Sequence, residues 1–590
     1  MLGGTIRKLI TDGISSLKKE GTLSGFNTPE FSVEASENPA HGDYATNAAM
    51  AMAKLAKKPP MEIAERLAAI IGSSGQGIIE RVAAVKPGFT NFFLTDTYLL
   101  GGLFMRLEEK DGGMSVADWD GTKVMVEFTD PNPFKEFHIG HLYSNIVGES
   151  LSRILEAAGA TVKRANYQGD VGLHVAKALW GMQRKLTSAP RGLAELEQQS
   201  LEERMKFLGQ AYVEGAVAFD ADEGAKKEMV ELNKKIFALD PGIRDLYEKG
   251  RAWSLEYFER IYRRLGTKFD FYYFERDVGE TGAAIVREHL ARGVFRESDG
   301  AIVFPGEKYG LHRRVFINSE GLPTYEAKEL GLAPTKYKDF PYDLSVVVTG
   351  SEIIEYFKVL LAALKEINPS LAEKTRHVAH GMVRLATGKM SSRSGEVMRA
   401  EDLLNEVRDR VLGIMETSES ELEGEERREV AEQVAVGAVR YSLLRVGVGK
   451  DIVFDVDTSL NLEGDSGPYL QYTHARLKSI LRKAAKDAKE TKVTKVPGEV
   501  ELDDVEHRLL ATTLRLPEVI EDALKSFMPN TIAAYLNHLA KLANGFYHSH
   551  PVIQEPDETK RHLRVALVSG VALTLAKGLN LLGIAAPEEM

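Results

Sequence analysis

Apolar runs alternate with amphipathic stretches through the middle of the chain, and this order predicts a parallel sheet. The segment "TKVMVEFT" is rich in β-branched residues and predicts a strand. From Gly140 to Ala158 apolar residues recur at helical spacing, and "TVKRANYQG" then predicts a second strand. Further strands are predicted at "DLSVVVTG" and "HVAHGMVR". Strand, helix and strand in this order form a βαβ unit, whose strands lie parallel in one sheet.

Composition and turn signals divide the chain into four regions. Residues 1–112 combine helical patterns with the strand-like "VKPGFTNFFLTD", which predicts an α+β domain. Residues 113–400 contain the predicted sheet, and a charged helical stretch at about 181–275 interrupts it as an insertion. Beyond residue 400 the pattern is helical almost throughout, which predicts linking helices over 401–465 and a helical bundle over 466–590.

Composition excludes several classes of protein but selects none. The chain has 590 residues, which is too long for a single core, and its 44% hydrophobic and 27% charged residues are typical of globular proteins. The absence of cysteine excludes disulfides, zinc fingers and thiolate catalysis, and it is compatible with a reducing cytoplasm. The net charge of -11 does not indicate nucleic-acid binding, although a local basic face can exist on an acidic protein.

The most apolar late segment, "VALVSGVALTLAKGLNLLGIAA", is the main candidate for a membrane span. Lys577 and Asn580 interrupt it, so it lacks an uninterrupted apolar run of about 18 residues. The start of the chain is amphipathic and lacks the apolar core of a signal peptide. We therefore predict a buried terminal helix, no membrane partner and a cytoplasmic location.

The segment "NPFKEFHIGH" places His138 and His141 three residues apart and allows three interpretations. Imidazoles at this spacing on a helix can share a metal ion, but no cysteine exists and no third ligand lies nearby in the sequence. They can also form a structural pair that caps the helix. In the third interpretation they lie where a strand ends and a helix begins, the position at which open α/β sheets bind nucleotides. Gly140 would then leave room for an adenine or ribose, and the imidazoles would donate to phosphate oxygens.

A second element fits the nucleotide interpretation. The segment "ATGKMSSRSGEV" is polar, is bounded by glycines and carries Lys389, Ser391, Ser392 and Arg393. Its glycine spacing is not that of a P-loop, and Met390 stands where that motif requires Ser or Thr. A solvated turn is the alternative for this loop alone, but both elements in one chain favour phosphate binding.

With both motifs present, the chain resembles class I aminoacyl-tRNA synthetases, whose paired signature is similar to "HIGH" at 138–141 and "KMSSR" at 389–393. Longer segments resemble the arginyl members specifically, including "HGDYATNAAMAMAK", "KPGFTNFF", "NYQGDVG", "GLPTYEAKELGLAPTK", "GPYLQYTHARLKSIL" and "YLNHLAKLANGFY". The resemblance implies an α/β, Rossmann-like parallel-sheet catalytic domain with a helical insertion. It also implies an α+β N-terminal domain that binds the tRNA elbow and a C-terminal α-helical bundle that binds the anticodon.

The resemblance implies a two-step reaction. The carboxylate of L-arginine attacks the α-phosphorus of ATP bound to Mg²⁺, pyrophosphate leaves, and the arginyl group passes to the terminal adenosine of tRNA(Arg). Positioning and charge stabilisation dominate such chemistry. The resemblance also implies a monomer without a structural metal. The predicted ATP-binding residues are His138, Gly140, His141, Lys389, Ser391 and Ser392, and the predicted catalytic residues are His138, His141, Lys135, Lys389 and Arg393.

Ser392 departs from the class I pattern, in which a second lysine occupies this position. The departure removes a cation that the transition state is expected to need. In arginyl enzymes of this kind a lysine just before the histidine motif looks like the replacement, and Lys135 stands in that place. A solvated lysine on a loop is the alternative interpretation of Lys135.

A buried guanidinium needs carboxylate partners, so an arginine pocket should be acidic. By motif position, Glu127, Asn132 and His138 are predicted to hold the amino end of the substrate. Tyr325 and Glu329 are predicted to hold the guanidinium, and Glu329 stands where the family more often has Asp.

Glu352 is predicted to replace a glutamine that many arginyl enzymes carry near Ile353. An exposed structural charge is the alternative interpretation for both Glu329 and Glu352.

Contacts with tRNA are predicted in both terminal regions. Asn91 and Phe93 in "GFTNFF" are the candidates for the tRNA elbow. Tyr469, Tyr472 and Tyr547 are the candidates for stacking on anticodon bases, because sequence-specific RNA readers stack unpaired bases on such rings. The alternative is that these tyrosines belong to the helical core.

Three other functions stay open at this point. A different class I synthetase would share both signatures, but cysteinyl types usually need zinc-binding cysteines and a glutamate pocket would need cations. A small-molecule nucleotidyltransferase would have no use for the helical bundle and the N-terminal domain. A non-catalytic RNA-binding relative would be expected to lose the ATP residues, whereas His138, His141 and Lys389 are intact.

Overall fold

The structure is a computed structural model that describes residues 1–23, 25–36, 38–109, 116, 118–188, 192–386, 398–417, 422–487 and 500–590. The first part of the chain forms a four-stranded antiparallel sheet with helices. Its elements are α1 (Leu2–Lys19), β1 (Val33–Ala35), β2 (Tyr44–Thr46), α2 (Ala48–Ala56), α3 (Pro60–Ser74), β3 (Ile79–Val85), β4 (Phe89–Leu94) and α4 (Asp96–Glu108). The strand order is β1-β2-β4-β3, which confirms the α+β prediction.

A five-stranded parallel sheet lies at the centre of the molecule. The elements of this region are β5 (Lys123–Glu127), α5 (Ile139–Ala157), β6 (Thr161–Gln168), α6 (Leu173–Ser188), α7 (Leu193–Glu197), α8 (Leu201–Ala221), α9 (Glu223–Phe237), α10 (Pro241–Leu265), β7 (Phe271–Phe274), α11 (Glu275–Ala291), β8 (Arg296–Ser298), β9 (Ala301–Phe304), β10 (Arg314–Ile317), α12 (Tyr325–Asp339), β11 (Leu344–Gly350), α13 (Ile354–Ile367), α14 (Pro369–Glu373), β12 (Thr375–His380) and β13 (Val383–Leu385). The sheet order is β12-β11-β5-β6-β7. Since β5 comes first in the chain, the order reverses between β5 and β11, and such a point is where doubly wound sheets bind ligands.

Two details of this region differ from the predicted pattern. The edge strand β7 lies inside the stretch predicted as the insertion, so the inserted helices α6 to α10 end at Leu265. The predicted strand "HVAHGMVR" is divided, because Gly381 interrupts it. A Cβ at Gly381 would lie 2.1 Å from the Lys450 carbonyl oxygen, so this close approach of two backbones requires glycine.

Close packing fixes α5 against the sheet. The helix is buried along most of its length, and a Cβ at Gly148 would lie 2.1 Å from a ring carbon of Phe128. At its far end, Ser150 Oγ donates to the Leu581 carbonyl at 3.0 Å, and Arg153 donates to the Asn580 carbonyl at 3.2 Å. The sheet therefore holds one face of α5, and the C-terminal part of the chain contacts its last turns.

The rest of the chain is mainly helical. Its elements are α15 (Ala400–Thr417), α16 (Gly424–Leu444), β14 (Ile452–Phe454), α17 (Val456–Ser459), α18 (Gly467–Asp487), α19 (Asp504–Thr513), α20 (Leu516–Ser526), α21 (Asn530–Ser549) and α22 (Glu558–Leu581). The short strand β14 was not predicted; it pairs in parallel with β13 and buries Ile452 and Phe454. Within the described ranges, α22 alone is long and apolar enough to cross a membrane, and 67% of its most apolar window is buried inside the protein, as predicted for a buried terminal helix.

Candidate active site

A cavity of about 910 Å³ opens at the carboxyl ends of β5 and β11, where the strand order reverses. It brings together eight residues that the sequence predicted to bind ATP or arginine. They are Glu127, Asn132, His138, Gly140, His141, Tyr325, Glu329 and Glu352. Predicted residues from four different parts of the sequence thus meet at one place in the fold.

The connection between β5 and α5 has a strained backbone. Thr129, Asp130 and Phe134 have φ values of 82°, 43° and 68°, a region that β-branched and bulky residues rarely adopt. The Thr129 amide donates to Ser144 Oγ and the Phe134 amide to Ser254 Oγ, both at 2.9 Å. Because buried hydrogen bonds fix this conformation, the histidines that follow have a defined position.

The two histidines cap α5 reciprocally. His138 Nδ1 accepts from the amides of Gly140 at 3.1 Å and His141 at 3.4 Å, and His141 Nδ1 accepts from the His138 amide at 3.3 Å. The imidazole rings stack with centroids 3.6 Å apart. The structural interpretation of the pair is therefore correct, and it is compatible with the nucleotide interpretation, because only one nitrogen of each ring serves the cap.

The cap also determines the protonation of both rings. Burial, followed by the charge of Lys135, lowers the pKa of His138 to about 4. Burial, followed by the neighbouring His138, holds the pKa of His141 well below its usual range. Both rings are thus neutral at pH 7, and since each Nδ1 accepts a hydrogen bond, the proton resides on Nε2. Each histidine presents a neutral N–H donor beside the amino end of a helix, where anions bind favourably.

Lys135 lies beside the histidine pair but is not among the described residues that line the cavity. Its ammonium is half-buried, 5.2 Å above the ring of Tyr212, and burial lowers its pKa. The lysine is therefore partly desolvated, which does not support its interpretation as a fully solvated loop residue. Lys389, Ser391, Ser392 and Arg393 lie outside the described residues.

Glu127 lines the cavity and belongs to a buried ion pair that the sequence did not predict. Lys336 Nζ lies 2.6 Å from Glu127 Oε2, and the two side chains are 4% and 1% exposed. Burial alone would lower the pKa of Lys336, but the charges of Glu127 and its neighbours outweigh burial and raise it. Lys336 follows Glu329 by two helical turns on α12, so both residues lie on the same face of that helix.

Glu329 is a second carboxyl group in this region of the cavity, and its pKa lies near neutrality. Burial, followed by the negative charge of Glu127, raises the pKa of Glu329 to about 8. Among the described residues it has no hydrogen-bond donor or ion-pair partner of its own, whereas Glu127 pairs with Lys336. At pH 7 the Glu329 carboxyl is therefore mostly protonated until a cation enters the cavity.

Another acid that lines the cavity, Glu275, forms a buried ion pair with Lys328. Burial raises the pKa of Glu275 to about 7, although the charge of Lys328 opposes this change. Glu275 comes directly after β7. Because this strand was not predicted, the position of Glu275 at the carboxyl end of a strand was not predicted either. Its position would have been predictable if the segment "FYYF" had been identified as a strand.

The remaining predicted arginine-binding residues lie at the rim. Tyr325 is 52% exposed, and the ammonium of Lys328 lies 4.5 Å from its ring centroid. Glu352 is exposed on the short 3-10 helix Ser351–Ile353 beside Gly350. Glu352 thus borders the cavity without being buried in it.

The candidate tRNA residues have contrasting environments. Asn91 is only 4% exposed within β4, and Phe93 is half-buried under the guanidinium of Arg81, 3.7 Å away. The burial of Asn91 does not favour a direct tRNA contact. Tyr472 is 42% exposed on α18 and is accessible to a ligand.

Two further tyrosines take part in contacts within the bundle. The Tyr469 hydroxyl accepts from Asn544 Nδ2 at 3.0 Å, and the Tyr547 ring lies 4.5 Å from the Arg476 guanidinium. Both are half-buried, which agrees with the alternative interpretation of a packing role.

His550 follows the last residue of α21, and two acids that are distant in the sequence lie close to it. In the structure Asp503 approaches from another helix, and its Oδ2 lies 2.8 Å from His550 Nε2. With Glu506 these groups could hold an ion in principle. Glu506, however, is already paired with Arg564 at 2.9 Å, so mutual hydrogen bonds account for the cluster.

Comparison with known families matches all three parts of the chain. The catalytic-domain model of class I (R) tRNA synthetases matches residues 107–456. The arginyl tRNA synthetase N terminal domain matches residues 4–94, and the DALR anticodon binding domain matches residues 470–590.

Individual proteins give the same result. The arginine–tRNA ligase of Treponema denticola is 31% identical over 99% of both chains, and that of Clostridium perfringens is 31% identical over 95% of this chain and 96% of its own. The solved arginyl-tRNA synthetase of Thermus thermophilus has a TM-score of 0.79 and 26% identity, with both chains fully covered. The chain therefore belongs to the arginyl-tRNA synthetase family and is a class I aminoacyl-tRNA ligase.

Proposed function

We propose that the cavity binds L-arginine at its acidic deep end and ATP with Mg²⁺ at the amino end of α5, and that arginyl-adenylate forms between them. The observation that carries this proposal is the position of Glu329, which is half-buried in the cavity wall, lies near other carboxyl groups and is not paired with a cation of its own within the described chain. A buried site of this kind favours a permanently cationic, planar ligand.

The guanidinium end of the pocket includes Glu127 in this proposal. By motif position Glu127 was assigned to the amino end of arginine, but its charge acts strongly on Glu329 and it is paired with Lys336. We therefore group Glu127 with Glu329 around the guanidinium. Asn132 and His138 stay at the amino end, beside the bend that leads into α5.

At the ATP end, the protein contributes donors rather than covalent chemistry. The Nε2–H groups of His138 and His141 donate to phosphate oxygens, and the helix amino end adds its partial positive charge. Gly140 allows the nucleotide to approach the backbone. Lys135 supplies the cation that Ser392 lacks, and it does so from a partly desolvated position, where a charge acts more strongly than in water. Lys389 and Arg393 complete the phosphate contacts.

In the second step the activated arginyl group passes to the 3'-terminal adenosine of tRNA(Arg). The N-terminal domain binds the tRNA elbow and the C-terminal bundle binds the anticodon, with Tyr472 as the most accessible of the predicted stacking residues. We further propose a monomeric enzyme in the cytoplasm, and light scattering at the chain mass of 65.2 kDa tests the oligomeric state.

ATP–pyrophosphate exchange with each of the standard amino acids, in the presence and absence of tRNA, tests the proposed function. We expect exchange with arginine alone, and only when tRNA is present. Exchange with a different amino acid, or none with arginine and tRNA, would contradict the proposal.

A further inference from the structure

The Tyr167 hydroxyl is buried and has no hydrogen-bond partner among the described residues, although its side chain lines the cavity. The residue is 6% exposed and lies near the carboxyl end of β6. Buried hydroxyl groups are nearly always hydrogen-bonded in folded proteins, because an unsatisfied buried polar group costs free energy. The Tyr143 and Tyr273 hydroxyls also have no partner among the described residues, so the orphan state of Tyr167 is informative only together with its position at the cavity wall, where a ligand group can supply the missing partner.

The backbone holds this side chain in a defined position. The Tyr167 amide donates to Asp130 Oδ1 at 2.8 Å, which joins β6 to the strained connection after β5. Side chains alternate along a strand, and the neighbouring Asn166 and Gln168 hydrogen-bond to each other at 2.6 Å on the opposite face. Rotation of the phenol toward that pair is thus prevented by the strand geometry.

The charges around Tyr167 show what kind of ligand group would fit. Burial, followed by the charges of Glu275 and Glu329, raises the pKa of Tyr167 well above its usual range, so the phenol keeps its proton. Glu127 and Glu275 are already bound to Lys336 and Lys328. A guanidinium has five N–H donors, and Glu329 together with Glu127, whose Oε2 already accepts from Lys336, cannot accept from all of them. Neutral oxygen acceptors are needed to complete its coordination.

We propose that Tyr167 Oη accepts a hydrogen bond from the guanidinium of bound arginine and is a specificity-determining residue of the reaction. This inference rests on the arginine pocket proposed above. An amino acid without a guanidinium would leave the hydroxyl unsatisfied, so the contact discriminates against it as well as favouring arginine.

The substitution Tyr167→Phe removes the hydroxyl and keeps the ring. In tRNA-dependent ATP–pyrophosphate exchange, we expect the KM for arginine to rise about tenfold, as for a lost hydrogen bond to a charged group, with kcat and the KM for ATP within about twofold. Tyr273→Phe is the matched control. Tyr273 is the direct cross-strand neighbour of Tyr167 on β7, is similarly buried, and is not among the residues that line the cavity.

Inhibition by L-ornithine supplies a second readout, because ornithine keeps the amino-acid end of arginine and lacks the guanidinium. Its inhibition constant should change less than twofold in Tyr167→Phe. An unchanged KM for arginine would overturn the inference, and so would equal weakening of arginine, ornithine and ATP. A failure of the proposed function would be distinct, since the wild-type enzyme would then show no exchange with arginine.

Discussion

Lys336 Nζ donates to Glu127 Oε2 at 2.6 Å in the protein interior beside the cavity, and the two residues are 209 positions apart in the chain. Breaking a buried ion pair by removing one partner leaves an uncompensated charge and typically costs about 3–5 kcal/mol. We expect Lys336→Met to lower the free energy of unfolding by about that amount, as measured by urea denaturation. The control is Lys358→Met, which removes the lysine of an exposed pair with Glu355 and should leave stability unchanged. Equal effects of the two substitutions would contradict a structural role for the buried pair.

Arginine binding should depend on pH through Glu329. Its pKa of about 8 in the free enzyme means that the carboxyl is protonated at lower pH, and it must lose that proton to pair with a guanidinium. The KM for arginine should therefore fall by up to tenfold per unit as pH rises from 6 toward 8, and it should level off above 8.

The pKa of Glu275 is about 7, so Glu275 could also produce a pH dependence of the KM for arginine in this range. A variant of Glu329 distinguishes the two carboxyl groups. Glu329→Gln should weaken arginine binding, and its KM for arginine should change little between pH 7 and 8. If the KM for arginine is constant from pH 6 to 8 in the wild-type enzyme, Glu329 does not release a proton when arginine binds.

The two roles of His138 can be separated by substitution. His138→Ala removes both the helix cap and the Nε2 donor, so it should cost about 1 kcal/mol of stability and reduce kcat for exchange by a factor on the order of 10²–10³. Asparagine is a good helix cap but is too short to place a donor at the position of Nε2. His138→Asn should therefore recover the stability and not the activity. Recovery of both would mean that the histidine acts only as a cap.

A lysine at position 392 should compensate for the loss of the lysine at position 135. Lys135→Ala is expected to reduce the rate of adenylate formation by at least tenfold, because it removes a partly desolvated cation beside the histidine pair that we propose binds the phosphates. Adding Ser392→Lys to this variant restores a cation at the position where other class I enzymes have one, and it should recover a large part of the rate. A single-turnover rate for Lys135→Ala within a few fold of the wild type would show that this lysine supplies no compensation.

His507 links the N-terminal domain to the helical bundle. Its Nε2 lies 3.0 Å from Asp43 Oδ1 and its Nδ1 lies 2.8 Å from Asp96 Oδ1. Burial opposes the charged form, but the two aspartates outweigh it and raise the pKa of His507 to about 9. A raised pKa contributes stability that is fully present below about 6.5, the unfolded value, and is lost as pH rises through 9.

The melting temperature of the wild-type enzyme should accordingly fall between pH 7 and 9.5 by more than that of His507→Gln. His312→Gln, at an exposed histidine, is the control and should behave as the wild type. Parallel pH profiles for the wild type and His507→Gln would show that this link does not titrate over the measured range.

The sequence predicted the fold well where apolar periodicity was strong. The strands β5, β6 and β11 and the helix α5 are long or fully buried, so their side-chain patterns are clear. The edge strand β7 has four residues and only Tyr273 fully buried, so its pattern is too short to separate from the preceding helix. The motifs likewise predicted residues that line the cavity at the amino end of α5, because His138 to His141 form one continuous segment.

The acidic end of the site was only partly predictable. Glu127 and Glu329 were predicted from motif position, but Lys336, which pairs with Glu127, and Tyr167, which also lines the cavity, were not, since neither carries a local signal of a ligand site. Their importance depends on contacts between distant segments and on burial, which exist only in the folded chain. The grouping of Glu127 with Glu329 follows from the same long-range geometry.

The central claim, that the half-buried acid Glu329 in the cavity wall selects the guanidinium of arginine, is tested most directly by comparing kcat/KM for arginine in the wild type and Glu329→Gln. The measurement is tRNA-dependent ATP–pyrophosphate exchange at pH 8, where the acid is available as a carboxylate. We expect a loss of about 100-fold or more, because a buried charged hydrogen-bond acceptor is removed, with the KM for ATP unchanged. A kcat/KM for arginine within a few fold of the wild type would contradict the account.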